Sequence, residues 1–129
     1  MTQALQLFTA DRFDTDANAP GTLALANDAD PREADLAGVS TVLLNFPSFS
    51  DGRAFSQAFL LRRRLGFAGH ICAIGDVLID QLQQMQRSGF TQAVLRADQN
   101  LAAGERQLAR YPAFYQGDAV TTAPHFAAA

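Results

Sequence analysis

Residues 41–75, TVLLNFPSFSDGRAFSQAFLLRRRLGFAGHICAIG, hold an apolar run, a polar turn, an amphipathic stretch and a second apolar run. Val42-Leu43-Leu44 and Ile71-Cys72-Ala73-Ile74 are apolar at consecutive positions. Successive side chains of a strand point to opposite faces, so these strands are buried on both. That is the pattern of parallel strands covered by helices on either side, whereas an exposed sheet would alternate. Between the runs, Ala54, Ala58, Leu61 and Leu65 recur at helical spacing, and Phe55 and Phe59 widen the stripe. The spacing predicts a helix from about Gly52 to Leu65 that lays one face on the sheet, ended by Gly66 in a left-handed cap.

The unit repeats downstream. His70–Ile74, Gly75-Asp76 and a helix from about Val77 to Ser88, with Leu78, Leu82 and Met85 inward and Gly89 at its end, make the second copy. Gln92–Leu95, the turn Arg96–Asn100 and a helix from about Leu101 to Arg110 make the third. Three consecutive βα units require right-handed crossovers and an α/β fold with a small parallel sheet, either open and layered or curved like part of a (βα)8 barrel. Upstream, residues 1–40 read as an N-terminal arm packed on the core of residues 41–116. Its short apolar stretches Leu5–Phe8 and Leu23–Ala26 suit edge strands. Asp30-Pro31-Arg32 opens a short helix reaching about Leu36, with Asp30 as cap and Pro31 at the first helical position. Residues 117–129, containing Pro124 and a terminal Ala-Ala-Ala, read as a flexible tail of the same domain. A three-stranded parallel sheet has two open edges, so a homodimer is expected.

Composition narrows the chemistry. The chain has 129 residues, 48% hydrophobic and 18% charged, a globular balance. No apolar run approaches the ~20 residues of a membrane span, and MTQALQLFTADRFD lacks the flanks of a signal peptide, so a cytoplasmic protein without membrane contact is expected. All 10 basic residues are arginine. The absence of lysine excludes Schiff-base chemistry, a lysine base and the lysine of a phosphate-binding P-loop. Cys72, the single cysteine, excludes an intrachain disulfide, a CxxC pair and a cluster held within one chain. His70 and His125, the only histidines, show no ligand spacing, so neither a metal nor a cofactor is expected. A net charge of −3 argues against nucleic acid. That charge is uneven: residues 1–40 carry −5 and residues 41–129 carry +2, which makes the second part the more suitable place for an anion.

Ligands approach parallel sheets at the carboxyl ends of the strands, so the residues that follow each run share one rim. The candidate ligand-binding residues are therefore Asn45, Ser50, Asp51 and Arg53 after the first run, Asp76 and Gln81 after the second, and Arg96 and Asp98 after the third. Arg53 and Arg96 suit a bidentate clamp on a small oxyanion, with Asp51 and Asp76 positioning them or acting as bases. The plainer reading makes Ser50, Asp51 and Asp76 helix caps, each worth about 1 kcal/mol, with Arg53 paired to a neighbouring carboxylate. Gln57 and Asp80 either support the rim from behind or face solvent. Cys72, inside an apolar strand, reads as inert packing, and His70 as structural. Arg62-Arg63-Arg64 complements a helix end and doubles as a docking patch for an acidic partner. Of Phe46, Phe49, Phe55, Phe59 and Phe67, most read as core, with an exposed subset near Pro47 offering a protein-binding surface.

The stretch Asn45-Phe-Pro-Ser-Phe-Ser-Asp-Gly-Arg53, with Phe55-Ser56-Gln57-Ala58, Leu60-Leu61-Arg62, Gly75-Asp-Val-Leu-Ile-Asp-Gln81, Arg87-Ser88-Gly89-Phe90 and Arg96-Ala97-Asp98-Gln99, resembles the bacterial domain of unknown function 934 family. The resemblance covers about residues 23–116. Members of that family are described as taking part in sulfite reduction, because they accompany sulfite reductase and other sulfate-assimilation enzymes. The resemblance thus implies a pathway and supplies no catalytic residues. It implies an auxiliary role, either binding a small oxyanion such as sulfite or docking on sulfite reductase or another sulfate-assimilation enzyme. An enzyme that uses Asp51 or Asp76 as acid or base in a partial barrel, and a plain interaction module, remain open alternatives.

Overall fold

Among the described residues, five short strands form the sheet: β1 (Gln6–Thr9), β2 (Thr22–Leu25), β3 (Thr41–Phe46), β4 (His70–Gly75) and β5 (Gln92–Leu95). The structure is a computed structural model and describes residues 5–12, 19–48 and 50–109. The strand order is β1-β5-β4-β3-β2, and every neighbouring pair is parallel. With β1 and β2 at opposite edges the sheet is open and layered, which settles the choice left by the sequence. The arm supplies both edge strands, one on each flank of the three strands expected downstream. The expectations for residues 117–129 and for Phe49 lie outside the described residues.

The pleat divides the sheet into two faces. Leu5, Val42, Leu44, Phe46, Ile71, Ala73, Ala93 and Leu95 join the larger core, against which α1 (Arg53–Phe59), α2 (Leu82–Ser88) and α3 (Leu101–Ala109) pack. Phe46, Phe55 and Phe90 lock β3 to α1 and to the start of β5 through ring centroids 5.0–6.3 Å apart. The other face holds a smaller cluster of strand residues, Leu43, Cys72 and Val94, with Phe8 and Ile74 beside it. The expectation of helices on both faces is therefore corrected. Among the described residues all three helices lie on one face, because β3, β4 and β5 advance in a single direction and right-handed crossovers keep their helices together.

Two helices differ from their sequence periodicity. The second was expected to start at Val77, yet a 3-10 turn at Ile79–Gln81 precedes α2, which begins at Leu82. Val77 is fully buried, and its carbonyl accepts from the Arg96 amide at 3.0 Å, a bond to the loop after β5 that a helix would forbid. The first helix passes into a π-helical turn at Leu60–Arg64, where the Leu65 amide reaches back to the Leu60 carbonyl at 3.0 Å. The short helix near Asp30 is likewise only a 3-10 turn, Pro31–Glu33. It has the expected cap: the Asp30 carboxylate accepts from the Arg32 amide, and Ala34 is already extended.

Gly89 closes α2 at φ +110°. Any Cβ there would lie 2.4 Å from Arg62 Cγ, and Arg62 is itself anchored, with Nε donating to the Gly89 carbonyl at 2.9 Å and Nη1 to the Phe67 carbonyl at 2.7 Å. Gly89→Ala is expected to lower the unfolding free energy by about 2 kcal/mol, combining left-handed strain with displacement of Arg62. Gly52→Ala, at a position with open space, is expected to change it by less than about 1 kcal/mol. Urea unfolding measures both, and a Gly89→Ala chain as stable as wild type would refute the anchoring.

Candidate functional site

Because all pairing is parallel, the carboxyl ends of the five strands share one edge of the sheet. Among the described residues, cavities open among the loops there, and two of them are lined by residues of the rim.

The first has a volume of about 220 Å³ and lies between the loop after β2 and α1, lined by Asn27, Asp28, Asp30, Arg32, Arg53 and Gln57 among others. Two copies of one local motif stand on it. In Asp30-Pro-Arg32 the carboxylate accepts from the Arg32 amide at 3.0 Å and from Nε and Nη2, the latter at 2.8 Å. In Asp51-Gly-Arg53 the Arg53 amide donates at 3.0 Å and Nη2 at 2.7 Å. The guanidinium beside each carboxylate holds Asp30 and Asp51 below the usual range, and each carboxylate raises its arginine. Gln57 is buried, and its Nε2 donates to the carbonyls of Ala26 and Ala29, both at 2.9 Å. It thus supports the rim from behind, whereas Asp80 is exposed. Asn27 Nδ2 donates to the Asn45 carbonyl at 3.0 Å. The remaining oxygens, Gln57 Oε1 and Asn27 Oδ1, are buried with no hydrogen-bond partner among the described residues. A buried acceptor left in this condition costs about 1–3 kcal/mol.

The second cavity, about 300 Å³, lies outside the ends of β1 and β5 and is lined by Thr9, Asp11, Leu95, Arg96 and Gln99. It marks the point where strand order reverses: β3, β4 and β5 advance toward β1, while the chain leaving β1 returns to the far edge at β2. Arg96 occupies it as a brace. Its Nη1 donates to Asp76 Oδ1 at 2.6 Å, and Nε and Nη2 donate to Asp98 at 2.6 and 2.7 Å. These carboxylates raise Arg96 above its ordinary value, and the guanidinium pulls Asp98 down to about 2. Gln99 completes the loop, its Oε1 accepting from the Ile79 amide at 3.0 Å.

The candidates thus fall into two groups. Asp76, Arg96 and Asp98 meet through hydrogen bonds, and of these Arg96 lines the second cavity, while Arg53 lines the first with Asp51 held beside it. Asn45 contributes a carbonyl to Asn27, and the Ser50 hydroxyl lies 3.0 Å from that of Ser48. Gln81 Oε1 accepts from the Leu78 amide at 3.2 Å and starts the 3-10 turn. Arg53 and Arg96 line different cavities, each held by carboxylates of its own. Sequence reasoning missed Asn27, Asp28, Arg32 and Asp11, because the rim was built from three strands and the arm adds two more with the same direction. The Asp-x-Arg spacing shared by residues 30–32 and 51–53 was the available signal. Burial pushes the Cys72 thiol up to about 12, which makes it a poor nucleophile. His70, at the opposite edge, places Nδ1 2.9 Å from Thr91 Oγ1. Among the described residues no three His, Cys, Asp or Glu side chains group as a metal site, and no helix is long and apolar enough to cross a membrane.

Over residues 22–126 the chain matches a family model described as bacterial protein of unknown function (DUF934). The matched segment begins at β2, so it contains every named residue of the first cavity, while Thr9 and Asp11 of the second fall outside it. No curated protein and no solved structure matches.

The Asp98 pair has a definite pH signature. Its folded pKa of about 2 lies below the ~3.9 of an unfolded aspartate, so the stability it contributes is complete above about pH 4 and is lost as pH falls toward 2. In Arg96→Gln the Asp98 midpoint is expected to rise toward the ordinary value, as read by carboxyl-carbon NMR titration. An unchanged midpoint would mean that the pair does not form in solution.

Proposed function

We propose, on the premise that the chain belongs to this bacterial family, that it is an auxiliary protein of assimilatory sulfite reduction. In this reading it docks on sulfite reductase or another sulfate-assimilation enzyme and turns over no substrate alone. The observation that carries the proposal is the surface where α1 passes into its π-helical turn. Phe59 and Leu65, 43% and 38% exposed, are the large hydrophobic residues left open to solvent among those described. The Arg63 guanidinium lies 5.6 Å from the centre of the Phe59 ring, and Arg64 is exposed beside it. Arg62 belongs to the interior instead, being bonded to the Gly89 and Phe67 carbonyls. In a chain of net charge −3, the result is a local cationic and apolar surface. Arginine stacked on an exposed aromatic ring is a composition enriched at the centres of interfaces, and it fits a partner whose surface is acidic around an apolar contact.

The rim lends less support to capture of a free oxyanion. Arg53 and Arg96 are each already held by carboxylates, and a dianion must compete with these for the same guanidinium edges. The buried thiol and the lysine-free composition give no support to nucleophilic turnover by this chain.

Replacing Arg63 and Arg64 together by Glu is expected to weaken capture of sulfite reductase on the order of tenfold or more, while Arg87→Glu leaves it unchanged. Wild-type binding should also weaken as salt rises. A deletion strain is expected to grow poorly on sulfate, with growth restored by wild type and not by the double variant. Normal growth with unchanged sulfite reductase activity would end the pathway assignment.

A further inference from the structure

The proposed docking surface contains a residue whose chemistry narrows the partner. Arg32, Arg53 and Arg96 on the rim each lie 2.6–2.8 Å from a carboxylate, which neutralises the cation and raises it above its ordinary value. Arg62 has no carboxylate partner among the described residues, and burial lowers it instead. Its inner edge is fixed. Nε donates to the Gly89 carbonyl at 2.9 Å and Nη1 to the Phe67 carbonyl at 2.7 Å, while the guanidinium carbon lies 5.9 Å from the centre of the Phe67 ring. Backbone carbonyls satisfy the donors they face but carry no full charge, so this half-buried cation is left without a counter-charge. Nη2 makes no hydrogen bond to a described residue and is not sealed from solvent. A guanidinium already held in one rotamer and partly stripped of water gains more from an incoming carboxylate than a mobile, hydrated one does.

On the docking reading above, we propose that Arg62 is the residue that selects the partner. Its outer edge receives an aspartate or glutamate carboxylate from an acidic segment whose apolar side chain covers Phe59 or Leu65. Phe59 and Leu65 stand three residues before and after Arg62, and both are open to solvent. Arg63, over the Phe59 ring, and the exposed Arg64 extend the cationic surface along the chain. That extent fits a run of side-chain carboxylates better than the single carboxylate of a chain terminus.

NMR titration of the full chain with the peptide acetyl-Glu-Glu-Phe-Glu-Glu-amide, followed at the Arg62 Nε–Hε signal, tests this. The bond to the Gly89 carbonyl shields that hydrogen from exchange and keeps the signal observable. The signal is expected to move saturably with the acidic peptide and to stay in place with acetyl-Gln-Gln-Phe-Gln-Gln-amide. Arg62→Gln keeps an amide donor for the two carbonyls and loses the charge. It should weaken binding of the acidic peptide about tenfold or more, while Arg87→Gln leaves it unchanged. A purely structural loss would instead weaken both peptides alike. Circular dichroism verifies that Arg62→Gln is folded, and the wild-type titration needs no variant. A signal unmoved by the acidic peptide at millimolar concentration, one moved equally by the glutamine peptide, or an Arg62→Gln chain with wild-type affinity would overturn the role of Arg62. Capture of sulfite reductase separates this role from the docking reading. Equal capture by wild type and Arg62→Gln overturns the role and leaves the docking intact, whereas a wild type that discriminates the peptides and captures no reductase supports the role and ends docking on that enzyme.

Discussion

Parallel pairing is the constraint on which the rest of the molecule depends. With all five strands running one way, their carboxyl ends meet at a single edge, so loops separated by up to 86 residues in sequence, such as those after β1 and β5, become neighbours. Close contact between β3 and β4 fixes the middle of that edge. Gly75 ends β4 at φ +95°, and a Cβ there would lie 2.5 Å from the Phe46 carbonyl. Only glycine allows the two backbones to approach so closely. The Asp76 amide then donates to that same carbonyl at 2.8 Å, and Asp76 is the residue that receives Arg96. The acidic brace at the second cavity is thus held by a steric condition inside the sheet.

Electrostatics at the rim repeat one device. An aspartate and an arginine two residues apart close on each other at 30–32, 51–53 and 96–98, the last in reversed order. The arginines of these pairs are exposed, and water screens such pairs so that they stabilise the fold little. Their effect is geometric: a long arginine side chain that would otherwise sample many rotamers is held in one. The carboxylates also neutralise the cations they orient, and the edge remains acid-rich despite its arginines.

The core strands were legible because their cause is local. Val42-Leu43-Leu44 and Ile71-Cys72-Ala73 are buried on both faces, and short runs of that kind bounded by turn residues suit covered parallel strands. The edge strands were also visible as short apolar stretches, displaced by a residue. Their direction was not, since it depends on pairing with β3 and β5 far along the chain, and for that reason the loop after β2 was left out of the rim. Val77 shows the same limit at one residue. Its periodicity fits a helix, but the Arg96 amide, 19 residues later, takes its carbonyl. The meeting of Asp76, Arg96 and Asp98 followed from the rule that parallel strands share an edge. The cavity at Gln57 did not, because a glutamine on a helix gives no sign of the backbone carbonyls it will meet.

The dependence of α1 on its surroundings explains how the two halves of this edge are joined. At seven residues, with Gly52 at its start and no side-chain cap, it is too short to persist by itself. Ala54 and Ala58 let it sit close on the sheet, and the Phe46–Phe55 contact fixes its rotation. Gln57 then ties its outer side to the loop after β2 through two carbonyls 28 and 31 residues away. Packing supplies the helix and the amide supplies its register against the loop, so that loop and α1 behave as one wall. The following π-helical turn carries Arg62 to the Gly89 carbonyl, joining the same wall to the end of α2. Both the first cavity and the Phe59–Arg63 surface therefore stand on a short helix whose position is set from outside it, by the strand β2 that the arm contributes and by the turn that closes α2.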